Sequence, residues 1–535
     1  MPPDSLPPMM RMSGTERSWP PRSSDLMRAL AAIEAKFPVQ EWHVNGLHVW
    51  PLLRIRWYFA EWARHYTDDA SPHAQGRWQN LVGTGWDMVA NAATAGMVQL
   101  KDRSGWDRSA SQRDLVFLSD GISFSKLGEH WFDRFCDPII KQAEQRRLSH
   151  ALWTPATHYH HPRATPSRFV QPALDRLKLT AALKNRQQNA TTAHLPDQLN
   201  LQHWLAAQGF GTAPIQADRV KADALRLRAF ADMYASRLRQ AQPRMAFIVC
   251  YYGLDGMAFV LACQECGIPV VDIQHGVEGP MHPAYASWSL TTTGPHPMVP
   301  DYFWVWSDWE RDAIEQWSKG HHHKAVVGGN PWASLWADDS PWPGINAALA
   351  RSARLKQQAR GKPVVLVTLQ WGISLVEQIT PLLGLLQDAG ERFFFWIRLH
   401  PLMLGSRETI RAQLGQAGNF NLDEASDVPL QALLKQVDAH MTHSSAVVID
   451  AMQYGIRSVV TSLYGEELFE PLYKDGWVVT EEGGTEALVR ALEICQSGHN
   501  RPSKARAPLH GAFETLMACA AASAKSPGES VDHHR

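Results

Sequence analysis

At 535 residues, with 45% hydrophobic and 20% charged residues, the sequence can bury at least two substantial cores, more than one ordinary domain uses. Its formal net charge of -1 excludes a global basic field, so no nucleic-acid partner is expected. Six scattered cysteines are too few for a disulfide framework, which indicates a reducing compartment and predicts a cytoplasmic protein. No apolar run reaches the roughly 18 residues that suggest a membrane span, so any association with the inner face of the cytoplasmic membrane is expected to be peripheral.

Both ends of the chain are polar, rich in Pro or Ser, and free of periodic apolar faces, which predicts disorder. Between the ends, short apolar runs alternate with helix-length amphipathic stretches, the pattern of parallel βα units. We therefore divide the chain into a disordered start (1–25), an acceptor-side Rossmann-like domain (26–330) with a helical insertion (about 174–241), a linker (331–362), a nucleotide-donor-binding Rossmann-like domain (363–496) and a tail (497–535).

The strands of the first domain are predicted where runs of apolar residues are followed by polar turns. They are 115–119, 245–251, 269–273, 302–306 and 325–327. The pattern then restarts in the second domain. Its predicted strands are 364–369, 393–399, 439–442, 458–461 and 477–479.

Ligands of open parallel sheets bind beyond the carboxyl ends of the strands, so the residues that follow each strand are the candidate site. Four of these strand ends carry unusual polar or glycine residues. They are Gln274, His275 and Gly276; Gly328, Gly329 and Asn330; Arg398 and His400; and His443, Ser444 and Ser445.

Ser444 and Ser445 follow a strand and precede an apolar helix. A helix start offers unpaired N–H groups that suit a phosphate, and the alternative is that either serine simply caps the helix. Arg398 and His400 are two residues apart on one extended strand and so share one face. Both can then reach phosphate oxygens, and the alternatives are a surface ion pair for Arg398 and a structural role for His400.

His275 ends a strand of the first domain, opposite the predicted donor half. Its ordinary pKa lies near working pH, so it is a candidate general base for an acceptor hydroxyl. The alternative is a buried histidine bonded to backbone. Asp120, which follows the first strand, is the second candidate base.

Several patterns that resemble metal or phosphate motifs are discounted. Cys263 and Cys266 lie in an apolar helical stretch without a second cysteine pair, a pattern typical of buried thiols. The sequence has no G-x-x-x-x-G-K-[ST] loop and no D-x-D motif. We therefore expect no metal site and no cofactor.

The stretch 363–479 resembles the donor-binding half of bacterial GT-B glycosyltransferases of capsule and lipopolysaccharide synthesis, which include sialyltransferases, Kdo transferases and CDP-glycerol glycerophosphotransferases. The motifs that carry the resemblance are Gln370-Trp371-Gly372, His400-Pro401, His443-Ser444-Ser445 and the run from Asp450 to Gly455. The resemblance implies a GT-B fold, α/β with two Rossmann-like parallel-sheet domains facing across a cleft.

The same resemblance implies roles for named residues. His400, Ser444 and Ser445 would bind the phosphate of a cytidine-activated donor, with Arg398 and Gln370 beside them. Gly329 and Asn330 resemble the closing part of the first domain and would also face the donor. The acidic base motif of the sialyltransferases has its nearest match at Asp120, where the first acid is missing.

The function implied is metal-independent transfer of a sugar from a nucleotide-activated donor, such as CMP-Kdo or a CMP-sialic-acid-like compound, to a surface-polysaccharide or lipid-linked acceptor. Three alternatives remain open at this point. They are a nucleotide-sugar epimerase or hydrolase, a CDP-glycerol-type phosphotransferase, and a catalytically silent scaffold of the same fold.

Overall fold

The computed structural model describes residues 22–66, 111–155, 160–187, 192–289, 294–336, 342, 344–415, 417–480, 483–497 and 511–524. The strands in chain order are β1 His43–Val44, β2 Leu47–His48, β3 Leu115–Leu118, β4 Phe124–Leu127, β5 His130–Asp133, β6 His150–Thr154, β7 Ser167–Phe169, β8 Ala193–His194, β9 Met245–Val249, β10 Val270–Ile273, β11 Tyr302–Val305, β12 Lys324–Val327, β13 Val364–Thr368, β14 Phe394–Arg398, β15 Phe420–Asn421, β16 Ala439–Thr442, β17 Ser458–Val460 and β18 Val478–Val479.

The α-helices in chain order are α1 Ser23–Lys36, α2 Trp50–Tyr66, α3 Cys136–Gln145, α4 Gln171–Gln187, α5 Gln198–Ala207, α6 Ala217–Ala241, α7 Leu254–Glu265, α8 Asp308–Ser318, α9 Pro331–Ser334, α10 Ile345–Gln357, α11 Leu375–Asp388, α12 Arg407–Leu414, α13 Asp423–Asp427, α14 Leu430–Leu434, α15 Val447–Gln453, α16 Leu463–Leu468, α17 Glu470–Lys474, α18 Thr485–Gln496 and α19 Ala512–Ala524. Short 3₁₀ turns occupy Val39–Glu41, Ala213–Ile215 and Pro401–Ser406.

Two parallel sheets form the centre of the molecule. Within the described residues, the first has seven strands in the order β12-β11-β10-β9-β3-β6-β7 and the second has six in the order β15-β14-β13-β16-β17-β18. Every pairing inside these two sheets is parallel. Their central strands are buried on both faces, which explains why they read as continuous apolar runs in the sequence.

Each sheet begins at its middle, runs to one edge and then returns to the other side, which is the doubly wound order of a Rossmann-like domain. The reversal lies between β3 and β9 in the first sheet and between β13 and β16 in the second. We call these the first and second switch points. The predicted α/β fold class of two Rossmann-like parallel-sheet domains is confirmed.

All ten predicted strands are present, with ends that differ by at most two residues. The sequence pattern does not predict β6 and β7, which extend the first sheet beyond β3. It also does not predict the antiparallel hairpin of β4 and β5. These segments mix polar and apolar residues over only three to five positions, so their apolar signal is weak.

A helical module combines α1 and α2, which precede the first sheet in the chain, with α5, which lies between β7 and β9. Helices α1, α2 and α5 pack with the small antiparallel sheet β2-β1-β8 around buried tryptophans, among them Trp42, Trp50 and Trp57. Arg54 is buried in this module, and its guanidinium pairs with Glu34 at 2.8 Å. The module accounts for part of the sequence to which the family resemblance does not extend.

The two domains share one apolar core. A single hydrophobic cluster joins Phe247 and Trp304 of the first sheet to Val448, Phe469 and Leu472 of the second domain. The domain boundaries themselves stay a prediction, and the proposed linker contains the helices α9 and α10.

The tail predicted to be disordered contains helix α19, which packs against the first sheet. The ring of Phe513 stacks parallel to Phe247, with 6.4 Å between their centroids. Burial of this apolar face overrides the polar composition around it, so this part of the tail prediction needs correction. At the other end, α1 already begins at Ser23, and residues 1–21 lie outside the described residues.

Close packing of backbone on Trp304 explains one glycine of the predicted site. The indole Nε1 of Trp304 donates to the Gly329 carbonyl at 3.0 Å, and a Cβ on Gly328 would lie 2.2 Å from the same ring.

We expect Gly328→Ala to destabilise the protein by about 1–3 kcal/mol, because the buried indole must move. Thermal and denaturant unfolding measure the effect. Gly418→Ala is the matched control, since no atom lies within 4 Å of its added Cβ, and equal midpoints for both variants would contradict the expectation.

Candidate functional site

A cleft of about 190 Å³ lies between the two domains. We call it the interdomain cleft and define it by its lining residues. Those from the first domain and its helical module are Tyr58, Phe59, Trp62, Val277, Met281 and His282; those from the second domain are Gln370, Trp371, Ile373, Ser444, Tyr464 and Leu468. Both walls therefore include loops that follow the carboxyl ends of parallel strands, where such folds bind ligands.

The second switch point brings two of the predicted donor residues together. Gln370 follows β13 and Ser444 follows β16, on adjacent parallel strands. The Oε1 atom of Gln370 accepts hydrogen bonds from the Ser444 N–H at 2.7 Å and from its hydroxyl at 3.2 Å. Gln378 fixes the other side, because its side chain bonds the backbone N–H and carbonyl of Gln370. The result is a rigid polar edge on the wall of the cleft.

Ser445 and His443 play more local parts beside this edge. The Ser445 hydroxyl accepts from the Val447 N–H at 3.3 Å, as expected for the capping alternative. The His443 Nδ1 atom lies 2.9 Å from the Ser444 hydroxyl, and burial lowers the pKa of His443 to about 4. His443 is therefore neutral at physiological pH, and donor binding by Ser445 stays a prediction.

His400 and Arg398 follow β14, the strand beside β13. The Nδ1 atom of His400 accepts from the Leu402 N–H at 3.2 Å and so caps the turn Pro401–Ser406. The NH1 group of Arg398 donates to the carbonyls of Ala425 and Val428. Burial, followed by the charge of Arg134, lowers the pKa of Arg398 to about 10, so it still carries a positive charge at neutral pH. Because NH1 already donates to two carbonyls, the predicted effect of Arg398 on a donor phosphate would come from its positive charge.

Gly329 and Asn330 are engaged in holding the molecule together. Asn330 Oδ1 accepts from the N–H groups of Trp332 and Ala333 at the start of α9. Its Nδ2 atom donates across the domain interface to Asp450 at 3.2 Å. Burial raises the pKa of Asp450 to about 6. Contacts between Gly329 or Asn330 and a donor stay a prediction, and what the structure shows for Asn330 is a bridge between domains.

His275 lies in a buried polar cluster one step behind the cleft. Its Nδ1 atom is 3.1 Å from Glu278 Oε1, and its Nε2 atom is 3.1 Å from the hydroxyl of Tyr252. Glu278 also accepts from the backbone N–H of His275 at 3.0 Å, and its side chain is buried. Tyr252 in turn stacks near His282 of the cleft wall, with 4.9 Å between ring centroids. The buried-backbone alternative for His275 does not describe this arrangement, because its ring faces a carboxylate and a phenol.

The charges around His275 act against its burial. Burial by itself lowers the pKa of His275, but Cys250 and then Glu278 outweigh it and raise the pKa well above its ordinary value. Burial raises the pKa of Glu278 and of Asp272 behind it. The imidazolium is thus stabilised, which makes neutral His275 a strong base once it has lost its proton. The sequence also offers Glu278 and His282 as base candidates behind Asp120; in the structure Glu278 is instead the partner of the His275 ring.

Asp120, the second candidate base, shapes its own loop. Its Oδ1 atom accepts from the N–H groups of Ile122 and Ser123, each at 3.0 Å, and its Oδ2 atom accepts from the Ser123 hydroxyl. Behind it, the carboxyl group of Asp133 is buried against Ser119, and burial raises its pKa. Asp120 follows β3 as predicted, and β3 borders the first switch point, but its oxygens stabilise a turn. Its role as a base stays a prediction.

The aromatic wall of the cleft was missed by the sequence analysis. Tyr58, Phe59 and Trp62 all come from α2, in a segment with no assigned function. The ring of Trp62 lies 5.9 Å from that of Tyr464 across the domain interface. Their spacing along α2 matches one helical face, but the sequence cannot distinguish a face directed at a cleft from one directed at a core.

Among the described residues, no helix is both long and apolar enough to span a bilayer. No group of three or more His, Cys, Asp or Glu side chains in that part of the chain is placed to hold a metal ion.

Comparisons with known proteins add a fold-level similarity. No protein-family model and no curated protein matches the sequence. Among solved structures, the chain is similar to UDP-GlcNAc 2-epimerase from Methanocaldococcus jannaschii, with a TM-score of 0.47, 10% identity and coverage of 76% of this chain and 99% of that chain. It is also similar to the Neisseria meningitidis UDP-GlcNAc 2-epimerase bound to UDP-GlcNAc, with a TM-score of 0.43, 13% identity and coverage of 76% and 98%. For the wall teichoic acid polymerase TagF the TM-score is 0.42, the identity 10% and the coverage 83% and 99%. Similarities this weak carry no inference about substrate or reaction.

The charge state of His275 can be tested without substrate. We expect its ring, followed by NMR on protein labelled at histidine Cε1, to titrate well above the ordinary histidine range. Glu278→Gln should move the titration to lower pH, because it removes one of the groups that stabilise the imidazolium. His275→Asn assigns the resonance. His282 serves as an internal reference, since burial lowers its pKa to about 3 and it should stay neutral throughout. A His275 titration unchanged by Glu278→Gln would refute the pairing.

Proposed function

We propose that this chain is a glycosyltransferase that moves a sugar from a nucleotide-activated donor to a glycan or lipid-linked acceptor. The observation that carries the proposal is the interdomain cleft, in which the second switch point supplies Gln370 and Ser444 while the His275 cluster lies behind the opposite wall. A two-substrate transfer needs such an arrangement, because donor and acceptor must meet between two prepared surfaces.

The donor phosphate is assigned to the rim of the second sheet, with His400 and Ser444 as its hydrogen-bond partners and the charge of Arg398 nearby. His400 and Arg398 follow β14 and Ser444 follows β16, with β13 between the two strands, so a diphosphate that spans this rim can engage both sides. The positive charge of Arg398 would stabilise the departing nucleotide as its phosphate gains charge. The cytidine-activated donors, CMP-Kdo and CMP-sialic-acid-like sugars, are the first candidates because the family resemblance favours them.

In the transfer step, the acceptor oxygen forms a bond to the anomeric carbon of the donor sugar while the bond from that carbon to the phosphate oxygen breaks. The acceptor proton passes to Nε2 of His275 in its neutral form, through the hydroxyl of Tyr252 that bonds it. Because Cys250 and Glu278 raise the pKa of His275, the ring must lose its own proton before this step. Glu278, 3.1 Å from Nδ1, stabilises the imidazolium that forms. The nucleotide leaves with the bonding electron pair on its phosphate.

The donor assignment predicts a specific effect on nucleotide affinity. His400→Ala should weaken binding of CMP or CDP, measured by calorimetry, roughly ten- to a hundredfold, because a charge-assisted hydrogen bond to phosphate is worth about 1.5–3 kcal/mol. His400→Asn is the matched control, since its side-chain oxygen can still accept from the Leu402 N–H and keep the cap. It should retain the melting temperature but not the affinity. Normal affinity in a destabilised His400→Ala variant would mean that His400 is only a structural residue.

The base assignment predicts a separation of turnover from donor binding. His275→Ala should lower turnover roughly a hundredfold or more with donor affinity nearly unchanged, whereas Asp120→Asn should change turnover little. Product analysis with and without acceptor belongs to the same experiment. Sugar transferred only when acceptor is present supports the proposal. Epimerised or hydrolysed donor in the absence of acceptor would indicate the epimerase or hydrolase instead, and absence of any nucleotide binding would indicate a silent scaffold.

A further inference from the structure

The walls of the interdomain cleft are predominantly aromatic. Phe59 and Trp62 of α2 lie on one side, with Tyr58 beside them, and Trp371 and Tyr464 belong to the other domain. Trp371 is half-buried, and its neighbour Gln370 is fixed at both backbone groups by the Gln378 side chain. The indole therefore sits on a well-anchored loop and presents part of its surface to the cleft.

The described lining residues of the cleft include no carboxylate, lysine or arginine. His282 is neutral as well, because burial lowers its pKa to about 3, and its Nδ1 atom accepts from the Ala284 N–H at 3.2 Å. The remaining polar groups carry no charge: they are the amide of Gln370, the hydroxyls of Ser444, Tyr58 and Tyr464, and the indole N–H groups of Trp62 and Trp371. A charged ligand would lose its hydration here without gaining a partner, so the cleft suits a neutral ligand with apolar faces and a polar rim.

The cleft also lies on the side of the proposed base. His282 contacts Tyr252 with 4.9 Å between ring centroids, and the Tyr252 hydroxyl bonds His275. Two side chains, His282 and Tyr252, therefore connect a molecule in the cleft to the group proposed to accept its proton. Of the groups assigned to the donor phosphate, Ser444 lines the cleft, whereas His400 and Arg398 are not among its described lining residues.

We propose that the interdomain cleft is the acceptor subsite and that it binds a neutral pyranose ring stacked on Trp371, with Phe59 and Trp62 of α2 completing the aromatic wall. A pyranose has an apolar C–H face and a rim of hydroxyl groups, which matches aromatic walls with an amide and a hydroxyl at the edge. The assignment of this sugar as the acceptor rests on the proposed function. Binding of the sugar in the cleft does not require the nucleotide donor.

Saturation-transfer NMR on the full chain without nucleotide tests the proposal. The probes are methyl β-D-glucopyranoside and methyl β-D-galactopyranoside, with N-acetylneuraminic acid as the anionic sugar and uridine and cytidine as nucleosides. We expect transfer to the ring C–H protons of the neutral glycosides and little to the anionic sugar. Trp371→Ala should weaken glycoside binding by about 2- to 10-fold, the range of one aromatic contact, and Trp371→Phe should retain part of it.

Two controls keep the result interpretable. Tyr473→Ala removes an aromatic side chain that is 52% exposed and absent from the described lining of the cleft, so it should leave glycoside binding unchanged. Phe59→Leu tests the α2 wall independently if Trp371→Ala lowers the melting temperature. Absence of transfer to either glycoside, or nucleoside binding that Trp371→Ala abolishes while glycoside binding stays intact, would overturn the proposal. Glycoside binding in a protein that binds no nucleotide would support the subsite and contradict the transferase.

Discussion

The shared apolar core between the two domains is the constraint on which the rest of the site depends. Phe247 and Trp304 pack in the same cluster as Val448, Phe469 and Leu472. Full burial of a large apolar side chain is worth about 1.5–3 kcal/mol, so this interface favours one relative orientation of the sheets. That orientation brings strand ends of both sheets towards each other. The cleft and its two walls therefore result from the packing of the two domains.

The groups proposed to stabilise the donor phosphate and the group proposed to accept the proton lie in different parts of the structure. Positive charge belongs to the rim of the second sheet, where Arg398 stays protonated although burial lowers its pKa. The cleft is lined by uncharged and aromatic side chains among the described residues. The pair of His275 and Glu278 lies behind it, with the Glu278 side chain buried and that of His275 16% exposed. A low local dielectric strengthens that pair, which is the physical reason why neighbouring charges can raise the pKa of a buried histidine.

The sequence was sufficient for the two sheets and for part of the site. Strands such as β9 and β13 are buried on both faces and read as continuous apolar runs. Strands β10 and β16, which precede His275 and Ser444, are also buried along their whole length, so these strand ends could be located in advance. The Gln370–Ser444 contact could not, because it depends on a reversal of strand order that brings residues 74 positions apart together. The partnership of His275 with Tyr252 crosses 23 positions, and no periodicity encodes it. Helix α19 was missed because its polar flanks dominate the local composition.

The helical module at the start of the chain is part of the site rather than an addition to it. The buried guanidinium of Arg54 in α2 donates to the carbonyls of Pro283, Ala286 and Ser287, and the Tyr58 hydroxyl donates to the Met281 carbonyl at 2.8 Å.

The segment held in this way is the one that begins at His275 and carries Glu278 and His282. Asp272 secures the same segment from the sheet side, because it accepts a hydrogen bond from the Tyr285 hydroxyl at 2.8 Å. Helix α2 therefore fixes the loop of the proposed base with one face and lines the cleft with another. A displacement of this helix would disturb the acceptor wall and the proton acceptor together, which couples the two halves of the proposed chemistry through one element.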